Sequence, residues 1–254
     1  MFRCETPSIY LLGKSALYIG CAPANGIVCL SSPSLFVSID GEFEWEPKEA
    51  VIRTRTILLP AGKKLIAKNT GRVVGVLILD MLSKDFLTLK KRSPSSLEGV
   101  YYDLADEDTI LMDLKNIYQD RLDGESASVV LKKSIYQGDL IPANKIDNRV
   151  KFIIDYIRDN VHENLGLDDL ALLVNVSSTW LAQLFKSQTG VPIRRYRQWC
   201  RIYEATKHIA AGESMTDAAL ISGFSDSAHF STAFKNAFGY SPRQFYSKGA
   251  CIFQ

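Results

Sequence analysis

Between Leu17 and about Asp80, apolar side chains come in short alternating runs punctuated by turn residues; beyond Asp106 they recur at three- and four-residue intervals. In the first region, "SLFVSIDGEFEW" alternates through Leu35, Val37 and Ile39, breaks at Asp40-Gly41 and resumes with Phe43 and Trp45. Asp-Gly tolerates the positive φ of a tight turn, so this stretch predicts a hairpin. "VIRTRTILLPAG" alternates around Ile52, Thr54 and Thr56 and stops at Pro60, and "RVVGVLILD" predicts a strand buried on both faces. Many short strands separated by turns predict a small barrel or sandwich. In the second region, "DEDTILMDLKNIYQDRL" puts Ile110, Leu114, Ile117 and Tyr118 on one helical face, with acids at the end where the helix dipole favours them. "ASVVLKKSIYQ" predicts a second helix. "GDLIPANK", with Gly and Pro between two patterned regions, reads as a linker, and everything after it as helix. The expected organisation is an N-terminal domain over 1–140, a linker over 141–146 and a C-terminal domain over 147–254.

The helical half contains a repeat. "VNVSSTWLAQLFKSQTGVPIRRY" and "GFSDSAHFSTAFKNAFGYSPRQF" share a Phe-Lys pair, Phe185-Lys186 and Phe234-Lys235, followed by Gly190 or Gly239 and then Pro192 or Pro242. Each follows a short helix that ends at Asn175 or Gly223, residue types that accept the left-handed backbone of a sharp helix-to-helix turn. Ser177 and Ser225 are expected N-caps, and Ser214-x-x-Asp217 resembles a capping box, where the first copy has only Gly166. The spacing predicts two helix-turn-helix units, about 167–189 and 215–238. Between them, "PIRRYRQWCRIYEATKHIAAG" predicts one helix opened by Pro192 and closed by Gly212. At about 1.5 Å per residue it forms a rod somewhat shorter than the ~34 Å between successive major-groove faces of B-DNA. Bending of the duplex, or an imperfect seat for one unit, is therefore expected.

Composition narrows the partners. Lys and Arg total 30 against 28 Asp and Glu, a net charge of +2, so an affinity for nucleic acid has to come from local charge. Between Lys186 and Lys207 the cations Lys186, Arg194, Arg195, Arg197, Arg201 and Lys207 face only Glu204, which suits phosphate contact; a solvated surface is the competing reading. The 5 cysteines are odd in number, scattered and never CxxC, which favours reduced thiols. The 3 histidines, His162, His208 and His229, all follow the linker, so the strand-rich region has no imidazole for a metal-dependent enzyme. No catalytic residue, metal or cofactor is expected. "MFRCETPSIY" lacks a signal-peptide core, and the longest apolar run is too short to span a bilayer, so the cytoplasm is the expected location.

Within each second helix, Leu181, Leu184 and Phe185, and Phe230, Ala233 and Phe234, fall together as core. The opposite faces carry Ser178, Thr179, Ala182, Gln183 and Lys186, and Ser227, Ala228, Ser231, Thr232 and Lys235. They are small and polar, as base-edge readers can be, and Gln183 alone is built for bidentate contact, favouring adenine.

Over about 147–246 the chain resembles the AraC/XylS family of bacterial transcriptional regulators, most specifically through "GFSDSAHFSTAFKNAFGYSPRQF". "LDDLALLVNVSSTWLAQLFKSQTGVP" matches the first unit, with Asn175 where glycine is more usual. The resemblance implies an α+β protein: a small cupin-like β-barrel with following helices, then an all-α domain of two helix-turn-helix motifs joined by a long helix. It implies an activator that reads adjacent major-groove segments of a double-stranded promoter and recruits RNA polymerase. The base-reading positions fall on Thr179, Ala182, Gln183, Ser227, Ala228 and Thr232, with Trp180 and His229 beside them as packing or phosphate neighbours. Phosphate contacts are assigned to Ser178, Lys186, Arg194, Arg195, Arg197, Arg201, Ser231 and Lys235. The cupin-like domain implies control by a small-molecule effector, or alternatively a regulatory protein partner or homodimerisation alone. Leu114 and Tyr118 are the candidate dimer contacts, unless they are core of the domain's own helix.

Overall fold

The computed structural model describes residues 6–21, 25–28, 30–47, 51–69, 73–136, 146–238, 241–246 and 250–254. The strands are β1 (Ser8–Leu12), β2 (Ser15–Cys21), β3 (Asn25–Val28), β4 (Ser34–Ser38), β5 (Phe43–Trp45), β6 (Ile52–Thr54), β7 (Thr56–Leu59), β8 (Leu65–Asn69), β9 (Val73–Ile78), β10 (Ser95–Leu97), β11 (Val100–Tyr102) and β12 (Cys251–Phe253). They form an eight-stranded sheet in the order β10-β11-β7-β4-β9-β2-β1-β12 and a four-stranded sheet in the order β3-β8-β5-β6. The pairings are antiparallel except β1 with β12. Helix α1 (Asp85–Lys91) precedes β10, and α2 (Glu107–Gln119) and α3 (Gly124–Tyr136) follow β11.

Asp40-Gly41 does not close a hairpin. Both edges of β4 are taken, by β7 and β9, so the chain crosses at this point to the other sheet, where β5 pairs with β6 and β8. Asp40 Oδ1 fixes the corner by accepting the Val73 N–H at 2.9 Å. The return crossing is at Arg55, where Thr54 Oγ1 accepts the Thr56 N–H at 3.2 Å. The run around Val73–Ile78 is the central strand expected, flanked by β2 and β4.

Alternation along the central strands sends residues into two cores. Leu17, Leu35, Val37 and Leu77 meet Leu114, Ile117 and Leu131 of α2 and α3. Tyr18, Phe36, Val74 and Ile78 join a second core that continues without a break into the helices beyond residue 146. A sheet covered on both faces explains why β9 reads as an unbroken apolar run. Leu114 is 1% exposed in the first core, and Tyr118 Oη donates to the Thr6 carbonyl at 3.0 Å. The assignment of this pair to dimerisation is therefore corrected to the core of the domain's own helix layer.

The remaining helices are α4 (Asn148–Asp159), α5 (Leu167–Leu173), α6 (Ser178–Thr189), α7 (Ile193–Ala210), α8 (Met215–Ile221), α9 (Ser227–Phe238) and α10 (Pro242–Tyr246). The expected linker, 141–146, lies outside the described residues apart from Ile146. The stretch after it is not helical throughout: β12 returns to the N-terminal sheet, so residues 251–253 leave the domain that the sequence assigned them to.

Candidate nucleic-acid interface

Two helix pairs, α5–α6 and α8–α9, flank α7. Asn175 (φ 53°) and Gly223 (φ 85°) occupy the left-handed turn positions that the repeat required. Gly223 is also obligatory for space, since a Cβ there would lie 2.9 Å from Arg201 Nε and 3.0 Å from His162 Cα. Ser177 caps α6, accepting the Trp180 N–H at 3.3 Å, and Ser214 caps α8, accepting the Asp217 N–H at 3.1 Å. At α5, Asp169 Oδ2 reaches back to the Gly166 N–H at 2.7 Å. The α9 cap is Asp226 and not Ser225: Asp226 Oδ1 accepts the His229 N–H at 2.7 Å, while Ser225 Oγ donates to Asp226 Oδ2. That bond and Ser225 hold the Asp226 carboxyl below its ordinary pKa.

Phe185 and Leu181, and Phe230 and Phe234, are buried against α7 through Tyr196, Trp199 and Ala205. Each such aromatic or Leu side chain contributes about 1.5–3 kcal/mol by leaving water. The burial turns the opposite faces outward. Thr179, Gln183, Ala228 and Thr232 are exposed, and Ala182 and Ser227 half-buried, so the structure gathers the six candidate base-reading positions on the outer faces of α6 and α9. Lys186, Arg194, Arg195 and Lys235 are exposed around them. Ser178 and Ser231 are half-buried, and the Ser178 hydroxyl donates to Asp168 Oδ1. Helix α7 has 18 residues, a rod of about 27 Å at 1.5 Å per residue.

Two of the candidate phosphate contacts turn inward instead. Arg201 is 9% exposed; its Nε donates to the Val161 carbonyl at 3.1 Å, and Nη2 to the Glu163 carbonyl at 2.9 Å and Asn164 Oδ1 at 2.6 Å. Arg197 Nη1 donates to the Leu165 carbonyl at 2.6 Å. These arginines pin the loop that leads into α5, and burial lowers the pKa of each. Sequence charge counting cannot separate them from Arg194, which shares their face of α7 at i, i+3 and i+7; the distinction is which turn of the helix lies within reach of the 161–165 loop.

The sequence also gave no sign of a cluster at the start of α4. Arg149 grips Asp147 through Nε and Nη2, at 2.9 and 2.7 Å, and lies 4.3 Å over the ring of Trp180 on α6. Asp147 N–H donates to Gln188 Oε1 at 2.8 Å, tying the entry of α4 to the same helix. The hydrogen bonds from Arg149 hold the Asp147 carboxyl down at about 2.

A cavity of about 160 Å³ opens beside the core that strands and helices share, with Lys14 on one side and Arg158, Tyr203, Glu204 and Lys207 on the other. Arg158 Nη2 pairs with Asp80 across the gap, while its buried Nη1 has no hydrogen-bond partner. Tyr203 Oη donates to the Gly13 carbonyl at 2.6 Å. Deeper in, Cys200 is buried and its thiol is pushed up to about 11, mainly by that burial. Among the described residues, no group of three or more His, Cys, Asp or Glu is placed to hold a metal, and no helix is long and apolar enough to cross a membrane.

Residues 170–248 match a family model described as a helix-turn-helix domain. The chain is 34% identical over 116 residues to the HTH-type transcriptional activator RhaS of Escherichia coli O139:H28, which covers 45% of this chain and 41% of RhaS. RhaS of Klebsiella pneumoniae strain 342 is 32% identical over 117 residues. The chain thus spans about two fifths of the length of the curated relatives it matches. Over nearly its whole length the fold is similar to ToxT from Vibrio cholerae, at TM-score 0.59 and 15% identity, covering 92% of this chain and 97% of ToxT. It is equally similar to ToxT with an unsaturated fatty acid bound, at TM-score 0.58 and 14% identity, covering 93% and 94%.

Proposed function

We propose that this chain, whose residues 170–248 match a helix-turn-helix domain and which is 34% identical over 116 residues to a transcriptional activator, is an AraC-type sequence-specific activator and not an enzyme. It reads two adjacent major-groove segments of a promoter with α6 and α9 and recruits RNA polymerase from there. The observation that carries this reading is the outward presentation of Thr179, Ala182 and Gln183 on α6 and of Ser227, Ala228 and Thr232 on α9, in two helix pairs that both pack on α7. Lys186, Arg194, Arg195 and Lys235 supply phosphate contacts; Arg197 and Arg201 hold the reading units in place. Genome-wide mapping of occupied DNA, followed by mobility shift on the recovered sites, tests it. Binding no tighter than to random duplex rejects it.

Control by a small molecule is the second part of the proposal. A carboxylate at the cavity would meet Arg158 Nη1, which is buried without a hydrogen-bond partner and 3.8 Å from Asp155 Oδ1, together with Lys14 and with Lys207, which pairs with Glu204 of the same lining. An apolar tail would have to widen the adjoining cleft of about 20 Å³ that Leu11, Tyr18, Ile202 and Phe238 line. The fatty acid held by ToxT supports this chemical class. A fatty-acid series should raise the melting temperature of the full chain by mass action, and Arg158→Ala should abolish the shift. A flat response across the series favours a regulatory protein partner or an assembly role for the N-terminal domain.

A further inference from the structure

Among the described strands of the large sheet, β12 is the one supplied from beyond residue 146. Cys251, Ile252 and Phe253 stand opposite Ser8, Ile9 and Tyr10 in parallel register, and Cys251 N–H donates to the Pro7 carbonyl at 3.0 Å. Alternation divides this short strand between the two cores. Phe253 stacks on Tyr10, with ring centroids 4.7 Å apart and planes 11° from parallel, and Tyr10 Oη donates to the Ile117 carbonyl of α2. Ile252 packs on the core shared with the helices. At Gln254 the carbonyl accepts the N–H of Gly124, the first residue of α3, at 3.0 Å, and Nε2 reaches the Lys207 carbonyl of α7 at 3.3 Å. A Cβ on Gly124 would lie 2.3 Å from the Leu11 carbonyl oxygen and 2.8 Å from the Gln254 carbonyl carbon. The backbones of β1, α3 and residue 254 therefore meet in a gap that admits no side chain.

Four residues thus fasten the stretch following α9 and α10 to β1, α3 and α7. The fastening is slight: β12 is three residues long, half-buried throughout, parallel, and at a sheet edge, where local opening is easiest. The second helix-turn-helix unit has a reason to strain it. A connecting helix of about 27 Å falls short of the ~34 Å groove repeat, so seating α6 and α9 on one face of a duplex requires bending the DNA or shifting a unit.

We propose that β12 is a latch on the second unit, paired with β1 in the free protein and released when both recognition helices engage one duplex. This rests on the DNA-binding reading above. Pairing and DNA binding oppose each other, and by linkage whatever strengthens one weakens the other by the same factor.

The test uses the full chain with Cys4→Ser and Ser8→Cys, which faces Cys251 in register. Neighbouring strands about 4.8 Å apart lie within the Cα window of a disulfide. Binding to a duplex recovered by occupancy mapping is measured with the cross-link oxidised and then reduced, and for Phe253→Ala. The oxidised form should bind about fivefold or more weaker than the reduced form, and Phe253→Ala tighter than the unsubstituted chain. Equal binding in the two redox states, or failure of the cross-link to form, overturns the latch. If Phe253→Ala does not fold, the reversible cross-link decides alone. If the unsubstituted chain binds no recovered duplex, the DNA-binding reading falls and the latch with it. Binding by that chain with an indifferent cross-link sinks the latch only.

Discussion

The two helix-turn-helix units share one plan and differ in how each is held and in what it presents. The first presents Gln183, an amide able to donate and accept at a base edge, and is buttressed from behind by Arg149 on Trp180 and by Gln188 on Asp147. The second presents hydroxyls and methyls at its candidate reading positions, with the His229 imidazole and Lys235 beside them, and is held by aromatic packing of Phe234 on Phe238 and Phe245. Under the proposed function this difference divides the work: direct readout would fall to α6, while α9 would depend on methyl contacts, water and DNA shape. Arg201 belongs to both units, since its guanidinium binds the loop entering α5 and lies against Gly223 in the α8–α9 turn.

The largest expected effect follows from that shared position. Arg201→Ala leaves the Val161 and Glu163 carbonyls without their donor and should cost about 3 kcal/mol in denaturant unfolding, whereas Arg194→Ala should stay within about 0.5 kcal/mol. Equal effects would place Arg201 on the surface.

Next come the two turns. Gly223→Ala combines a left-handed backbone with contacts to Arg201 and His162, so thermal unfolding should show a loss of about 2 kcal/mol. Asn175→Gly, at a position that already tolerates φ 53°, should change stability by no more than about 0.5 kcal/mol. A costly Asn175→Gly would mean that the first turn depends on the asparagine side chain.

These contrasts also mark where the sequence was legible. The repeat, the left-handed residues at 175 and 223, the Ser177 and Ser214 caps and the outward faces of α6 and α9 all follow from local spacing. What escaped depends on three-dimensional context. Asp40-Gly41 has hairpin chemistry, but β4 already had two partners. Arg197 and Arg201 differ from Arg194, on the same face of α7, only by lying within reach of the 161–165 loop, and Leu114 and Tyr118 form a good amphipathic stripe whose partner turned out to be the protein's own sheet. The strand at 251–253 carries only three residues of pattern, and its partner lies some 240 positions away.

The smallest effect concerns the caps. Asp226 caps α9 as a carboxylate with a lowered pKa, so its stabilisation is present above the ordinary carboxylate value of about 3.9 and is lost as pH falls through the lower folded value. Ser177 does not titrate in this range. Amide exchange at His229 should therefore accelerate in acid relative to Trp180, and identical acid responses would remove Asp226 as the cap.

The most direct test of the division between the units is competition binding of Gln183→Ala and Lys186→Ala against a panel of base-substituted sites at several salt concentrations. Gln183→Ala should lose about 1–3 kcal/mol on the cognate site and relax preference at one or two base pairs under α6. Lys186→Ala should weaken all sites alike and lower the salt slope by about one unit. A Gln183→Ala protein whose sequence preference is untouched would contradict the account, leaving α6 a backbone clamp and not a reader of bases.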